Sequence, residues 1–154
     1  MRTSSASIAK IASFEGCRLS PYNDAAGNAT VGVGHLLHRG PLDGTEVPIT
    51  EAQALSLFAQ DLVKLAEVYI LSFVHVPLNQ NQYDALVSFT YNLGCGTLKN
   101  LASETGLNQG NYARVPQAIL EYDKAHVQGQ LVALPGLTRR RQWEAQLFST
   151  PAEA

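Results

Sequence analysis

The sequence predicts an α+β fold that is mostly helical, with one small β-hairpin near the N-terminus. Apolar residues recur at helical spacing over most of the chain, whereas residues 29–35 alternate small and β-branched side chains between turn-rich segments. With 154 residues, 45% of them hydrophobic, the chain can bury one substantial core or two small lobes that share a helix. We therefore expect a single domain over residues 1–154, with a hairpin lobe at about 14–50, a connecting helix at about 50–75 and a helical lobe at about 76–150.

The first predicted helix lies between Ser4 and Gly16. Its stripe, at spacings i, i+3, i+4 and i+7, consists of Ile8, Ile11, Ala12 and Glu15. Because this spacing turns the carboxylate of Glu15 toward the packed face, we expect it to be buried. Burial disfavours the charged form, so the group could hold a proton near neutral pH and donate it to a leaving oxygen. The alternative is a solvated or capping glutamate near a helix end.

The hairpin follows a turn-rich segment, residues 21–28, that contains Asp24. A carboxylate in such a wet turn stays ionised, although an aspartate there often only bonds the local backbone. Two acids in contrasting environments are the pattern that separates acid and base roles in glycoside hydrolysis. Thr30 is predicted on a strand beside the turn, where its hydroxyl could hold a water molecule that Asp24 deprotonates.

The rest of the chain predicts helices. Thr50 is an N-cap candidate for the connecting helix. The stripe of that helix contains Leu55, Phe58, Leu62, Leu65, Tyr69 and Phe73. A second helix is expected from Asn79 to the glycines at 94–96. Shorter helices are expected near 97–101, 112–124 and 138–148, and the Gly-, Gln- and Pro-containing segment 124–136 is expected to be a loop.

Four separated blocks carry a family resemblance. Phe14–Asp24 with Gly27 and Thr30–His35 resembles the catalytic motif of the bacteriophage lysozymes, glycoside hydrolase family 24. Later blocks similar to the same family's endolysins are residues 77–89, 91–94 and 136–148. Because the blocks occur in the same order over most of the chain, the resemblance is specific. It implies a lysozyme-like fold with a small N-terminal β-hairpin lobe and a helical C-terminal lobe joined by a long helix.

The resemblance also implies an activity. It is that of an endo-acting muramidase, which hydrolyses the β-1,4 bond between N-acetylmuramic acid and N-acetylglucosamine in peptidoglycan without a cofactor. Glu15 matches the family's general acid, Asp24 its second carboxylate and Thr30 the threonine that completes the triad. The family is described as inverting, so we expect about 6.5–9.5 Å between the two carboxyl groups rather than the roughly 5–5.5 Å of a retaining enzyme.

His35 is expected to be structural. No second His or Cys stands at ligand spacing, so we expect no metal there. The resemblance implies an ion pair between His35 and Asp61, and it places Gly34, His35 and Leu36 along the substrate. Surface or loop positions are expected for His38, His75 and His126.

Two further regions are candidate substrate contacts. The amide of Asn92 could bond an N-acetyl group, or the residue could be an ordinary helix-end asparagine. Arg139, Arg140 and Arg141 open the last predicted helix after Thr138, where positive charge opposes the helix dipole. We expect Arg139 or Arg140 to face carboxylates of the substrate and the others to pair with local acids or to be solvated.

Composition limits the other possibilities. The net charge is only −2, so long-range attraction to anionic walls is expected to be weak. Nucleic-acid binding is not indicated, because the basic residues are few and not interleaved with aromatics. Cys17 and Cys95 are expected to be free thiols. Two alternatives to an active muramidase remain: a peptidoglycan-binding module with little activity, and a tail or secreted-assembly component with a lysozyme fold.

Location follows from what the sequence contains. No run of 18 apolar residues is present, so no stable membrane insertion is expected. The segment after Met1 lacks an apolar signal core. We therefore expect a monomer made in the host cytoplasm that acts on the wall in the periplasm, once a holin or membrane damage opens the inner membrane.

Overall fold

The computed structural model describes residues 1–153 and divides into two compact units. One comprises residues 4–63, and the other comprises residues 1–3 together with the chain from Lys64 onward. Helices predominate, and the described residues form two small antiparallel sheets. The predicted mostly helical α+β class is confirmed.

The unit of residues 4–63 begins with helix α1, Ser5–Glu15. Ser4 is its N-cap, because the Ser4 side chain accepts a hydrogen bond from the Ser7 N–H. Gly16 ends the helix with φ +80°, a conformation that glycine adopts without a Cβ penalty. The buried residues of α1 are Ser7, Ile11 and Ala12.

A three-stranded sheet follows α1 in the order β1-β2-β3. The strands are β1 Arg18–Asn23, β2 Ala29–Gly32 and β3 His35–His38. The central strand β2 is buried throughout, and Thr30 pairs with Leu36 of β3. The predicted hairpin is therefore present as β2–β3. Strand β1 was not predicted, because Ser20 and Pro21 interrupt any alternating pattern; it is irregular between Arg18 and Tyr22.

The connecting segment is helical over residues 51–73, as expected, but it is not one regular helix. It consists of α2 Glu51–Leu62, a π-helical turn Val63–Glu67 and α3 Val68–Phe73. Thr50 caps α2 in a capping box with Gln53, which confirms the predicted start. The predicted buried stripe is wrong at Leu65, whose side chain is 53% exposed, whereas the neighbouring Ala66 is fully buried. The wider π turn holds an extra residue, so the buried face moves by one position.

The other unit contains four further helices. They are α4 Gln80–Leu93, α5 Cys95–Thr105, α6 Val115–Leu120 and α7 Pro135–Ser149, with 3-10 turns at Leu107–Gln109 and Tyr112–Arg114. Asn79 caps α4 in a second capping box, and residues 83–90 are buried without a break. Helix α4 is thus the centre of this unit, packed most extensively against α7.

The expected loop at 124–136 is wrong. Strands β4 Lys124–Val127 and β5 Gln130–Ala133 form a hairpin around Gln128 and Gly129, whose φ angles are +51° and +80°. Two consecutive positive φ angles suit the twist of a two-residue hairpin turn. The hairpin was not predicted because both strands are largely exposed, so buried and exposed residues do not alternate along them.

Helix α7 starts at Pro135, three residues before the predicted start, because proline suits the first turn of a helix. The arginines at 139–141 therefore lie beyond the first turn, so the expected conflict with the helix dipole is wrong. Arg141 and Glu144 are both fully buried, and they pair at 2.6 Å and 2.8 Å. The Ser88 hydroxyl donates to the same carboxylate at 2.6 Å.

Two smaller expectations concern the cysteines and the membrane. Both thiols are free; Cys17 is exposed and Cys95 is half-buried. Among the described residues, no helix combines the length and apolar character needed to cross a membrane.

Candidate active site

Glu15 is the last residue of α1, and its side chain is exposed. The expected burial of this residue is wrong. The packed face of α1 ends with Ile11 and Ala12, and the chain leaves the helix at Gly16 before another turn could cover Glu15. The carboxylate therefore lies at the surface of its unit.

Asp24 lies half-buried directly after β1, in a tight turn. Its Oδ1 accepts hydrogen bonds from the N–H groups of Ala26 at 2.9 Å and Asn28 at 2.8 Å. The backbone of Asp24 and Asn28 pairs as well, at 2.9 Å. The local backbone bonds weighed in the sequence analysis are thus present, and they fix the orientation of the carboxylate. Within residues 1–153 the other oxygen, Oδ2, carries no hydrogen bond.

Thr30 lies on the central strand β2 and is 3% exposed. Its hydroxyl donates to the Asn28 carbonyl at 3.0 Å, which leaves its oxygen lone pairs to accept from a water molecule or a ligand. Asn28 therefore connects both predicted residues: its N–H holds Asp24 and its C=O holds Thr30.

Sequence reasoning did not single out the asparagines around Asp24. The side chain of Asn28 accepts from the Gly40 N–H at 3.0 Å, and that of Asn23 accepts from the Leu42 N–H at 2.8 Å. Both bonds tie the Asp24 turn to the segment that follows β3. An asparagine at each end of the turn was the available signal, but local sequence does not indicate which distant N–H groups such side chains meet.

His35 begins β3, and its Nδ1 lies 2.8 Å from Asp61 Oδ2 on α2. The pair implied by the family resemblance is therefore present, and it ties the sheet to the helix. Gly34 precedes it at φ +68° and is exposed, and Leu36 is 45% exposed.

His38 has two acidic neighbours, which were not expected. Its Nε2 donates to Glu46 Oε1 at 2.6 Å, and Asp43 Oδ2 lies 4.0 Å away. The predicted isolated surface histidine is therefore wrong at this position. The three side chains bring potential ligand atoms within 4.8 Å of one another, but Glu46 already accepts the N–H groups of Asp43 and Gly44. A His38 Nε2 that donates its proton to Glu46 cannot also be a metal ligand, so the chemistry of the cluster fits an ion pair that closes the loop between His38 and Glu46.

The remaining predicted contacts lie in the other unit. Asn92 is half-buried near the end of α4, and among the described residues its buried Oδ1 has no hydrogen-bond partner. Arg139 is exposed, whereas Arg140 is 3% exposed and donates to Ser88 and Glu144. His75 and His126 are exposed, as expected.

Comparison with known proteins identifies the family of the chain. A family model described as phage lysozyme matches residues 12–144. The chain belongs to the phage lysozyme family. The endolysin of Acyrthosiphon pisum secondary endosymbiont phage 1 is 34% identical to this phage lysozyme over 97% of the chain and 99% of its own length. The endolysin of Salmonella phage P22 is 37% identical, with the same two shares.

Solved structures agree with this assignment. A mutant of P22 lysozyme is similar with a TM-score of 0.78 and 36% identity, covering 97% of this chain and 99% of the other. The muramidase domain of SpmX from Asticaccaulis excentricus is similar with a TM-score of 0.81 and 33% identity, with the same coverage. The predicted lysozyme-like fold is confirmed. Membership of the family supports an endolysin function and implies glycoside hydrolase activity.

Proposed function

We propose that this phage lysozyme is an inverting muramidase of bacterial peptidoglycan. It would hydrolyse the β-1,4 bond between N-acetylmuramic acid and N-acetylglucosamine and so lyse the cell. The observation that carries the proposal is the state of Asp24: one carboxylate oxygen is held by two backbone N–H groups, and the other carries no hydrogen bond within the described residues. Such a carboxylate is oriented in advance and can still take a proton from water.

Glu15 is the general acid in this scheme. Its exposed position at the end of α1 lets a glycan oxygen approach the carboxyl group. Glu15 would pass a proton to the leaving oxygen as the glycosidic bond breaks.

Asp24 and Thr30 act on the water molecule. The Thr30 hydroxyl donates to the Asn28 carbonyl, so its oxygen can accept a hydrogen bond from water. Asp24 removes the other proton of this water molecule as the water oxygen attacks the anomeric carbon on the face opposite the leaving group. Because the water attacks directly, the configuration at that carbon inverts and no covalent sugar ester forms.

Substrate contacts are assigned to six residues. In the sheet unit these are Gly34, His35 and Leu36; in the helical unit they are Asn92, Arg139 and Arg140. The unpartnered Oδ1 of Asn92 suits the N–H of an acetamido group, and the exposed guanidinium of Arg139 suits a carboxylate of the peptide or lactyl groups. Arg140, held by Ser88 and Glu144, would contribute positive charge from a fixed position.

Access and assembly follow the sequence expectations. We propose a monomer, made in the host cytoplasm, that reaches the wall in the periplasm when a holin or membrane damage opens the inner membrane. The endolysin relatives support peptidoglycan as the substrate.

The test compares wild type with Glu15→Gln, Asp24→Asn and Thr30→Val on purified sacculi. Mass spectrometry identifies the new reducing ends, and NMR of soluble fragments gives the anomeric configuration of the first product. Glu51→Gln is the matched control, because Glu51 is an exposed acid in the same unit outside the site. Loss of an acid or base catalyst is expected to slow hydrolysis about 10²- to 10⁴-fold while sacculus binding persists.

Three results would contradict the proposal. Reducing N-acetylglucosamine ends would exclude a muramidase, and retained configuration would exclude direct attack by water. Binding of wild type to sacculi without any hydrolysis would favour the peptidoglycan-binding module.

A further inference from the structure

We propose that His38 and Glu46 are positioning residues for Asp24: their ion pair closes the segment between them, and that segment braces both ends of the Asp24 turn. The inference rests on the proposed function only in assigning Asp24 to catalysis. All of the contacts involved lie within the unit of residues 4–63.

The first step is the closure itself. His38 ends β3, and its ring meets Glu46 eight residues later at 2.6 Å. The Glu46 side chain is only 5% exposed and also accepts the N–H groups of Asp43 at 2.9 Å and Gly44 at 3.0 Å. One carboxylate therefore fixes the start and the end of an otherwise irregular segment.

The second step is the charge of the pair. His38 Nδ1 faces the Arg39 carbonyl at 3.2 Å while Nε2 faces Glu46, so both ring nitrogens meet acceptors. Only the doubly protonated imidazolium can donate to both. The bond to Glu46, followed by that to the Arg39 carbonyl, raises the pKa of His38 above its usual value. The Asp43 N–H bond is the largest of the contacts that lower the pKa of Glu46 to about 2.

The neighbouring groups act in the same direction. Asp43, with its carboxylate 4.0 Å from the ring, also favours the imidazolium. The residue that pairs with His38 on β2 is Ala29, which brings no charge. The ion pair is therefore intact below the raised pKa of His38, and it is lost as the pH rises through that value.

The third step is the connection to Asp24. The closed segment presents the Gly40 N–H to the Asn28 side chain at 3.0 Å and the Leu42 N–H to the Asn23 side chain at 2.8 Å. Asn23 precedes Asp24 directly, and Asn28 donates its own N–H to Asp24 Oδ1 at 2.8 Å. The ion pair thus acts on Asp24 through two asparagines, one at each end of the turn.

The kinetic test uses His38→Gln and Glu46→Gln, with His126→Gln as the control because His126 is an exposed histidine in the other unit. We expect kcat on soluble peptidoglycan fragments to fall about 10-fold in both variants, because a small displacement of a catalytic group is costly. KM is expected to change little, since Asp24 acts on water rather than on sugar binding. Wild-type kcat should fall as the pH rises through the pKa of His38, and this limb should vanish in His38→Gln.

A second measurement needs no activity. In an NMR titration of wild type, the backbone amides of Asp24 and Asn28 are expected to shift with the same apparent pKa as the His38 ring. The shifts should disappear in His38→Gln and persist in His126→Gln. If the amide shifts of Asp24 and Asn28 do not follow the titration of His38, the positioning role is overturned. It is also overturned if both His38→Gln and Glu46→Gln keep the wild-type kcat. If wild type hydrolyses nothing while the amides still follow His38, the proposed function fails and the coupling stands.

Discussion

The buried ion pair between Arg141 and Glu144 provides the sharpest stability prediction. Both side chains are fully buried, and the Glu144 carboxylate forms an ion pair with Arg141 at 2.6 Å. The same carboxylate accepts hydrogen bonds from Arg141 Nη2 at 2.8 Å and from the Ser88 hydroxyl at 2.6 Å. Glu144→Gln keeps the shape but removes the charge, which leaves the Arg141 guanidinium buried without its carboxylate. Breaking a buried pair in this way costs about 3–5 kcal/mol. At about 2–4 °C per kcal/mol for a chain of this size, Tm is expected to fall by about 6–20 °C.

The assay is thermal and urea unfolding followed by circular dichroism. Glu121→Gln is the matched control, since Glu121 is an exposed acid in the same unit, and its effect is expected to stay within about 0.5 kcal/mol. If Glu144→Gln cost less than about 1 kcal/mol, the Arg141 charge would not be left uncompensated in the interior, and the reasoning from burial would be refuted.

Further predictions concern two glycines, a helix cap and a second buried acid. Gly32→Ala combines φ +65° with a Cβ placed 3.2 Å from the Ala54 Cβ, so urea unfolding should show a loss of about 2–4 kcal/mol. Gly34→Ala, at φ +68° in open space, should lose only about 1–2 kcal/mol, and equal losses would contradict the packing argument. Thr50→Ala removes the capping box of α2 and should cost about 1 kcal/mol in the same assay. Burial raises the pKa of Glu67, but hydrogen bonds from residues 2 and 3 outweigh it and lower the pKa below its usual value of 4.5, so the free energy of unfolding should decrease as the pH drops through the folded pKa. Glu67→Gln should flatten this decrease at acid pH. An unchanged decrease would show that Glu67 is not its source.

Local signals account for the parts of the fold that the sequence predicted. Thr50 and Asn79 each cap a helix with a glutamine three residues later, and both helices begin where these residues indicate. Such caps depend on four consecutive residues, so they can be recognised without knowledge of the fold. The π turn at Val63–Glu67 and the β4–β5 hairpin have no comparable signal: the first changes the helical period within a few residues, and the second buries neither face.

The candidate site also contains features that local sequence predicted and features that it did not. Glu15, Asp24 and Thr30 were predicted from helical spacing, a turn and a strand, and the family resemblance covers the same three positions. The contact of His35 with Asp61 was implied by that resemblance and is present. The contacts that hold the turn could not be found in this way. Glu46 and the two asparagines meet partners 8 to 19 residues distant, and side-chain hydrogen bonds over such separations depend on how the segment after β3 returns to the sheet.

The local bonds of Asp24 first suggested a purely structural aspartate, yet they strengthen the catalytic proposal. A base must be held in one orientation before the substrate binds, and bonds to Oδ1 from two backbone N–H groups provide that while Oδ2 stays open to water. Glu15 requires the opposite argument. Its side chain is exposed at the end of α1, so the apolar face of that helix does not enclose the carboxyl group. In the proposed mechanism, the bound glycan would complete the environment of Glu15, because it would remove water from the carboxyl group when it binds. The proposal therefore separates the two carboxylates by when their environments form: the fold builds that of Asp24, and the substrate would complete that of Glu15.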